Sequence, residues 1–154
     1  MHALIIEDED LVATVIEDVL RDCGFTSFDI ASTAKTAIEA AGRRAPDLVT
    51  SDLRLARGSG IDAVEAICAG PAVPVVFVTA YVDEVAQRRP DIQVVAKPFS
   101  ETALTAAVAS AMLNVSTSNV PKRAKIGLNF GSTSSMMSGI TPTDGSIPVK
   151  KPNR

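Results

Sequence analysis

Cysteine is scarce in this chain of 154 residues: Cys23 and Cys68 stand far apart, with no C-x-x-C spacing between them. Both lie among apolar neighbours, so reduced, buried thiols are expected rather than a disulfide or a metal pair. Histidine occurs once, and His2 reads as an exposed or edge residue without a catalytic part. The amino terminus lacks a basic stretch followed by an apolar one, so it does not resemble a secretory leader and none is expected. No apolar run approaches the roughly 20 residues that a membrane helix requires. A soluble, cytoplasmic chain without membrane contact is expected.

Strong net charge is also missing, but the value of −3 hides an asymmetry. Residues 1–113 hold 9 Lys+Arg against 17 Asp+Glu, a net of −8, and residues 114–154 hold 6 against 1, a net of +5. An acidic body argues against direct binding of nucleic acid. What the chain does have is apolar material, 46% of its residues, enough for one proper core.

That material alternates between strand-like and helix-like segments. Residues 3–6 form a short apolar run, followed by Leu11, Val12, Val15, Ile16, Val19 and Leu20 at the spacing of one helical face. Gly24 stops that helix. Residues 28–31 make a second strand, and Thr33 caps a helix carrying Ala34, Ala37, Ile38 and Ala41. Strand three covers 48–52, and a loop with Gly58 and Gly60 leads into a helix through Ile61, Val64 and Ile67. Strand four is expected at 73–79, a short helix at 82–89 and strand five at 92–96. Ser100 then starts a last helix lined by Leu104, Ala107, Val108 and Ala111. Five strands alternating with five helices imply an α/β fold with a parallel sheet covered on both faces. The expected domain is 1–113. From residue 114 Ser, Thr, Gly, Pro and Asn dominate, so 114–154 reads as a basic, mostly disordered tail; 120–125 reads as a solvated linker ahead of an anionic-partner patch, and 126–149 has room for one weak strand. The tail is too short and irregular for a helix-turn-helix effector.

Sites in such sheets form beyond the carboxyl ends of the strands. Strand one ends at Glu7 and Asp8, strand three at Asp52, strand four at Thr79, and Lys97 follows strand five. Three clustered carboxylates repel one another, and a hard cation such as Mg²⁺ relieves that repulsion. Asp52 can then act as a carboxylate nucleophile toward a phosphoryl donor, with Lys97 neutralising charge and Thr79 donating a hydrogen bond. Glu9 and Asp10 read as no more than an acidic first helical turn.

Ile5-Ile6-Glu7-Asp8, the run Pro46 to Asp52, Pro74-Val75-Val76-Phe77-Val78-Thr79-Ala80 and Lys97-Pro98-Phe99 resemble the receiver domain of two-component response regulators. The match covers residues 2–113 in order, and Gly60 stands at the family's loop glycine. The resemblance implies a flavodoxin-like doubly wound sheet in the order 2-1-3-4-5. It implies that Asp52 takes phosphate from a sensor histidine kinase or phosphotransfer protein, and that Glu7, Asp8, Asp52 and the Arg54 carbonyl hold Mg²⁺. It further implies output to a downstream protein through the face formed by the short helix at 82–89, strand five and the last helix, with a homodimer as one arrangement. By family position, Arg54 and Tyr81 are expected to tune attack by water on the acyl phosphate.

Two departures stand out: Ala56 replaces the family's usual proline, and Val94 occupies the position of its switch aromatic. Tyr81, the one tyrosine, is the candidate replacement, and the pattern resembles a subgroup of receivers, often stand-alone, without that aromatic. The expected function is a phosphorylation-switched regulator rather than an enzyme. The alternative is a Mg²⁺-dependent phosphohydrolase with an aspartate nucleophile. Such enzymes carry a second acid two residues after the nucleophile, where this chain has Arg54. A receiver that binds partners without phosphorylation is the third reading, and the intact Glu7, Asp8, Asp52, Thr79 and Lys97 count against it.

Overall fold

The structure is a computed structural model and describes residues 1–118. The expected disordered tail from residue 119 on, its 120–125 patch and its weak strand lie outside the described residues. The elements run β1 (His2–Ile6), α1 (Asp10–Asp22), β2 (Ser27–Ala31), α2 (Ala34–Arg43), β3 (Leu48–Ser51), α3 (Gly60–Ile67), β4 (Val75–Thr79), α4 (Val82–Arg88), β5 (Gln93–Ala96) and α5 (Glu101–Ser118). All strand pairs are parallel, and the order is β2-β1-β3-β4-β5. This is the flavodoxin-like arrangement.

The central strands β1, β3 and β4 are largely apolar and buried because helices cover both faces of the sheet. In β1, Ala3 and Ile5 point into one core with Ile16, Leu20 and Leu104, while Leu4 and Ile6 point into the other with Ile61, Val64 and Phe77. The first layer joins α1 and α5 to the sheet, and the second joins α2, α3 and Val85 of α4. Strand β1 is buried along its whole length, as are β3 and β4.

Local chemistry sets the helix ends. Thr33 caps α2 in a reciprocal box with Thr36: the Thr36 N–H donates to Thr33 Oγ1 at 3.1 Å, and the Thr33 N–H donates to Thr36 Oγ1 at 3.2 Å. Ser100 Oγ accepts from the Ala103 N–H at 3.1 Å, starting α5 as its sequence implies. Gly24 ends α1 at φ +95°, a conformation that side chains disfavour.

Four expectations need correction. His2 is neither exposed nor at an edge, because β1 lies between β2 and β3 and leaves the residue 3% exposed. Its Nδ1 is 2.9 Å from Ser27 Oγ, and its Nε2 lies 3.2 Å from Asp29 Oδ2 without the alignment of a hydrogen bond. The apolar stripe of α1 is wider than the face the sheet covers: Ile16, Val19 and Leu20 are buried, but Leu11 is 84% exposed and Val15 is exposed beside it. Cys23 and Cys68 are free thiols as expected, although each is only half-buried. Helix α5 continues to Ser118, past residue 113, because no glycine or proline interrupts it there.

Candidate functional site

Strand order reverses at β1, whose neighbours β2 and β3 are reached in opposite directions, so the crevice beyond the ends of β1 and β3 is the switch point. Glu7 and Asp8 follow β1, and Asp52 follows β3. The Asp52 N–H donates to the Ile6 carbonyl at 2.9 Å, continuing the ladder one step past the strand and locking the acceptor beside the acidic pair. One carboxylate oxygen from each of Glu7, Asp8 and Asp52 lies within 4.8 Å of the others.

Lys97 reaches into this cluster from the end of β5. Its Nζ donates to Glu7 Oε2 at 2.8 Å and to Asp52 Oδ2 at 2.8 Å, and Glu9 Oε1 lies 3.8 Å away. The Lys97 N–H donates to the Thr79 carbonyl at 3.0 Å, which holds the lysine beside the end of β4; the peptide to Pro98 is cis. Glu7 is 1% exposed and its other oxygen accepts from the Glu9 N–H at 3.1 Å. Glu9 therefore does more than favour the helix dipole, a role that its place in an acidic run concealed.

One ammonium faces three carboxylates, and the protonation preferences follow. Burial is the largest influence on Glu7 and pushes its carboxyl up, past the lowering by hydrogen bonds from Lys97 and the Glu9 N–H and by the lysine charge. Burial would push the Lys97 ammonium down, but its hydrogen bonds to Asp52 and Glu7, with their charges, outweigh this and hold it above the ordinary lysine value. The two shifts look contradictory for an ion pair. They agree once depth is counted, because Glu7 is fully enclosed whereas Lys97 keeps some solvent and gathers two partners. The cluster thus has more negative charge than its lysine balances, and its donors are all oxygen. That donor set fits a hard divalent cation such as Mg²⁺.

The loop after β3 completes the pocket. The Ala56 N–H donates to Asp8 Oδ2 at 2.8 Å, a bond that the family's usual proline, having no N–H, could not make. The Arg54 N–H approaches Asp52 Oδ1 at 3.4 Å. Gly60 starts α3 directly under this loop, where a Cβ would lie 1.7 Å from the Asp52 carbonyl oxygen. Its matching sequence position thus has a steric cause.

Thr79 ends β4 fully buried, and its Oγ1 accepts from the Tyr81 N–H at 3.2 Å. Arg54 turns its side chain away from the carboxylates: Nη2 is 2.9 Å from Glu84 Oε2, and the guanidinium carbon lies 4.6 Å from the Tyr81 ring centroid. Nothing in the sequence pattern links Arg54 to Glu84. Val94 is half-buried in β5 and offers no polar group.

A doubly wound sheet with three carboxylates and a bridging lysine at its switch point places the chain among α/β domains with an acidic site at the carboxyl edge of the sheet. The family model described as "Response regulator receiver domain" matches residues 3–109, and the chain belongs to that family. Over 113 residues it is 34% identical to the phyllosphere-induced regulator PhyR of Methylorubrum extorquens, covering 71% of this chain and 42% of that protein. The solution structure of the receiver domain of Erythrobacter litoralis PhyR superposes with a TM-score of 0.68 at 39% identity, covering 73% of this chain and 89% of that one. The receiver domain of a sensor histidine kinase from Pseudomonas aeruginosa, whose structure has magnesium coordinated in the active site cleft, gives a TM-score of 0.63 at 26% identity and covers 72% and 96%. The chain therefore spans less than half of the full-length PhyR it matches. It is a response regulator receiver domain of two-component signalling, and no helix among its described residues is long and apolar enough to cross a membrane.

Proposed function

We propose that Asp52 accepts a phosphoryl group from a phosphohistidine of a sensor kinase or phosphotransfer protein, and that this modification switches contacts with a downstream protein. The observation that carries the reading is the double hydrogen bond of Lys97 to Glu7 and Asp52 within the three-carboxylate cluster. An oxygen of the Asp52 carboxylate attacks phosphorus, the phosphorus–nitrogen bond breaks, and its electron pair leaves on the donor's imidazole. An acyl phosphate remains on Asp52. Lys97 neutralises charge on the transferred oxygens, and the Thr79 hydroxyl donates to one of them. Mg²⁺, held by Glu7, Asp8, Asp52 and the Arg54 carbonyl, supplies further charge neutralisation when bound. The magnesium in the related receiver from Pseudomonas aeruginosa supports that ligand class. A phosphohydrolase is the weaker reading, because Arg54 stands where its second acid belongs and pairs with Glu84 instead.

The test needs only Mg²⁺ and acetyl phosphate. The intact mass of the chain is expected to rise by one phosphoryl group, and Asp52→Asn or added chelator is expected to abolish the rise. Equal uptake by Asp52→Asn, or none by the parent chain with Mg²⁺ present, sinks the reading.

The donor has to approach beside Lys97. There, exposed Leu11 and Val15 form an apolar surface with Val12, Pro98 and Phe99 around a shallow depression. A protein donor covers such a surface, whereas acetyl phosphate makes no use of it. Leu11→Asp is expected to slow transfer from a phosphorylated donor protein by about tenfold or more, as for loss of an apolar interface contact. Uptake from acetyl phosphate is expected to stay within about twofold, a change too small to involve the site itself. Output through α4, β5 and α5 is the matching proposal for the signalling side.

A further inference from the structure

We infer that Arg54 reports the state of Asp52 to α4 by moving its guanidinium from Glu84 to the oxygens of the phosphoryl group. The inference rests on the phosphoacceptor reading of the site and supplies the link that Val94 cannot.

The parts are in place on one side of the pocket. The main chain of Arg54 lies 3.4 Å from Asp52 Oδ1, so its side chain is rooted at the acceptor, but its head is engaged elsewhere. It pairs with Glu84 in the first turn of α4 and stacks on Tyr81, the residue that precedes the helix. Tyr81 is tied in turn to Thr79, the hydroxyl expected to meet a phosphoryl oxygen. One group on Asp52 can therefore pull on both ties of the start of α4.

Relative strength gives the direction. The Arg54 and Glu84 side chains are 61% and 42% exposed, and a pair so open to water contributes little. A phosphoryl group offers charged oxygens in the fork geometry that a guanidinium binds best. Glu84 is thus the weaker of two competing partners.

Helix α4 is built to respond. It has seven residues, no side-chain cap at its start, and Val85 as its buried residue. At its other end Arg88 lies 3.5 Å from Asp62 and 4.0 Å from Glu65 of α3. Release of Glu84 frees the first turn while buried Val85 stays held in the core, so the helix pivots about that residue.

The test uses beryllium fluoride with Mg²⁺ as a stable phosphoryl mimic, titrated into the full chain while amide resonances of residues 81–85 are followed. Glu84→Gln removes the competitor and is expected to tighten mimic binding about two- to fivefold, the range set by loss of an exposed pair. In an Arg54→Ala background the same Glu84 change is expected to have less than about a 1.5-fold effect, since the coupling then has no carrier. Asp83→Asn, which removes equal charge from the same turn, is expected to change affinity by less than about 1.5-fold, as exposed charges are screened. Tightening that survives in the Arg54→Ala background, or that Asp83→Asn reproduces, overturns the inference. So does unchanged affinity in Glu84→Gln. If the parent chain does not bind the mimic at all, the phosphoacceptor reading fails and this inference falls with it.

Discussion

Gly60→Ala is expected to lower the unfolding free energy by about 4 kcal/mol or more, in the range reserved for a named steric or burial defect. An ideal Cβ at position 60 would lie 1.7 Å from the Asp52 carbonyl oxygen, 2.8 Å from its carbon and 2.5 Å from Ser51 Oγ. The first two are backbone, so no rotamer change relieves them. Instead α3 has to move off the end of β3, which also breaks the Gly60 N–H to Leu53 carbonyl bond of 2.9 Å. Domains of this size keep only about 5–15 kcal/mol in total, so the loss removes a large share of the margin and is expected to raise the unfolded or aggregated fraction at 37 °C. Gly42 is the control. It lies in α2 with nothing within 4 Å of its would-be Cβ, so Gly42→Ala is expected to gain about 0.5–1 kcal/mol in the same denaturant titration. Equal stability of Gly60→Ala and the parent chain would refute the packing of α3 under the Asp52 loop.

Lys97→Met is expected to move two properties of the site in opposite directions. Phosphate uptake from acetyl phosphate should slow by about 100-fold or more, the usual cost of losing one preorganised group that stabilises transferring charge. Affinity for Mg²⁺ should rise, because the ammonium now holding Glu7 and Asp52 at 2.8 Å each competes with the metal for the same carboxylates. Methionine keeps much of the apolar stem, which separates the charge effect from lost packing. Calorimetric titration of Mg²⁺ alongside the uptake rate reads both. Weaker Mg²⁺ binding in Lys97→Met would mean that the lysine organises the carboxylates rather than compensating them.

Much of this site is legible in the sequence because each of its charged groups interrupts an apolar run. Glu7-Asp8 closes β1, Asp52 follows β3 directly, and Lys97 follows β5, so finding the strands locates the chemistry. Strand starts were less clear: β4 begins at Val75 rather than 73, since Pro74 has no N–H to give the ladder. What stayed hidden depends on neighbours distant in the chain. The period of α1 marks Leu11 and Val15 as apolar but carries no record of how wide a face the sheet and α5 cover. The burial of His2 is not legible because position in the chain says little about depth in a sheet whose first strand is central. The tie from Arg54 to Glu84 spans 30 residues and two elements, and no periodicity encodes it. Glu9 sits in an acidic run where helix-dipole chemistry explains its presence, which masks its approach to Lys97.

The most direct test of Asp52 as phosphoacceptor is to locate the label. Treat the chain with acetyl phosphate and Mg²⁺, reduce with borohydride, which converts an acyl phosphate to homoserine, digest, and sequence the peptides by mass spectrometry. Homoserine at position 52, dependent on Mg²⁺ and on acetyl phosphate, is the predicted result. Reduction at Glu7, Asp8 or any other carboxylate instead of Asp52, or no reduction anywhere, would contradict it.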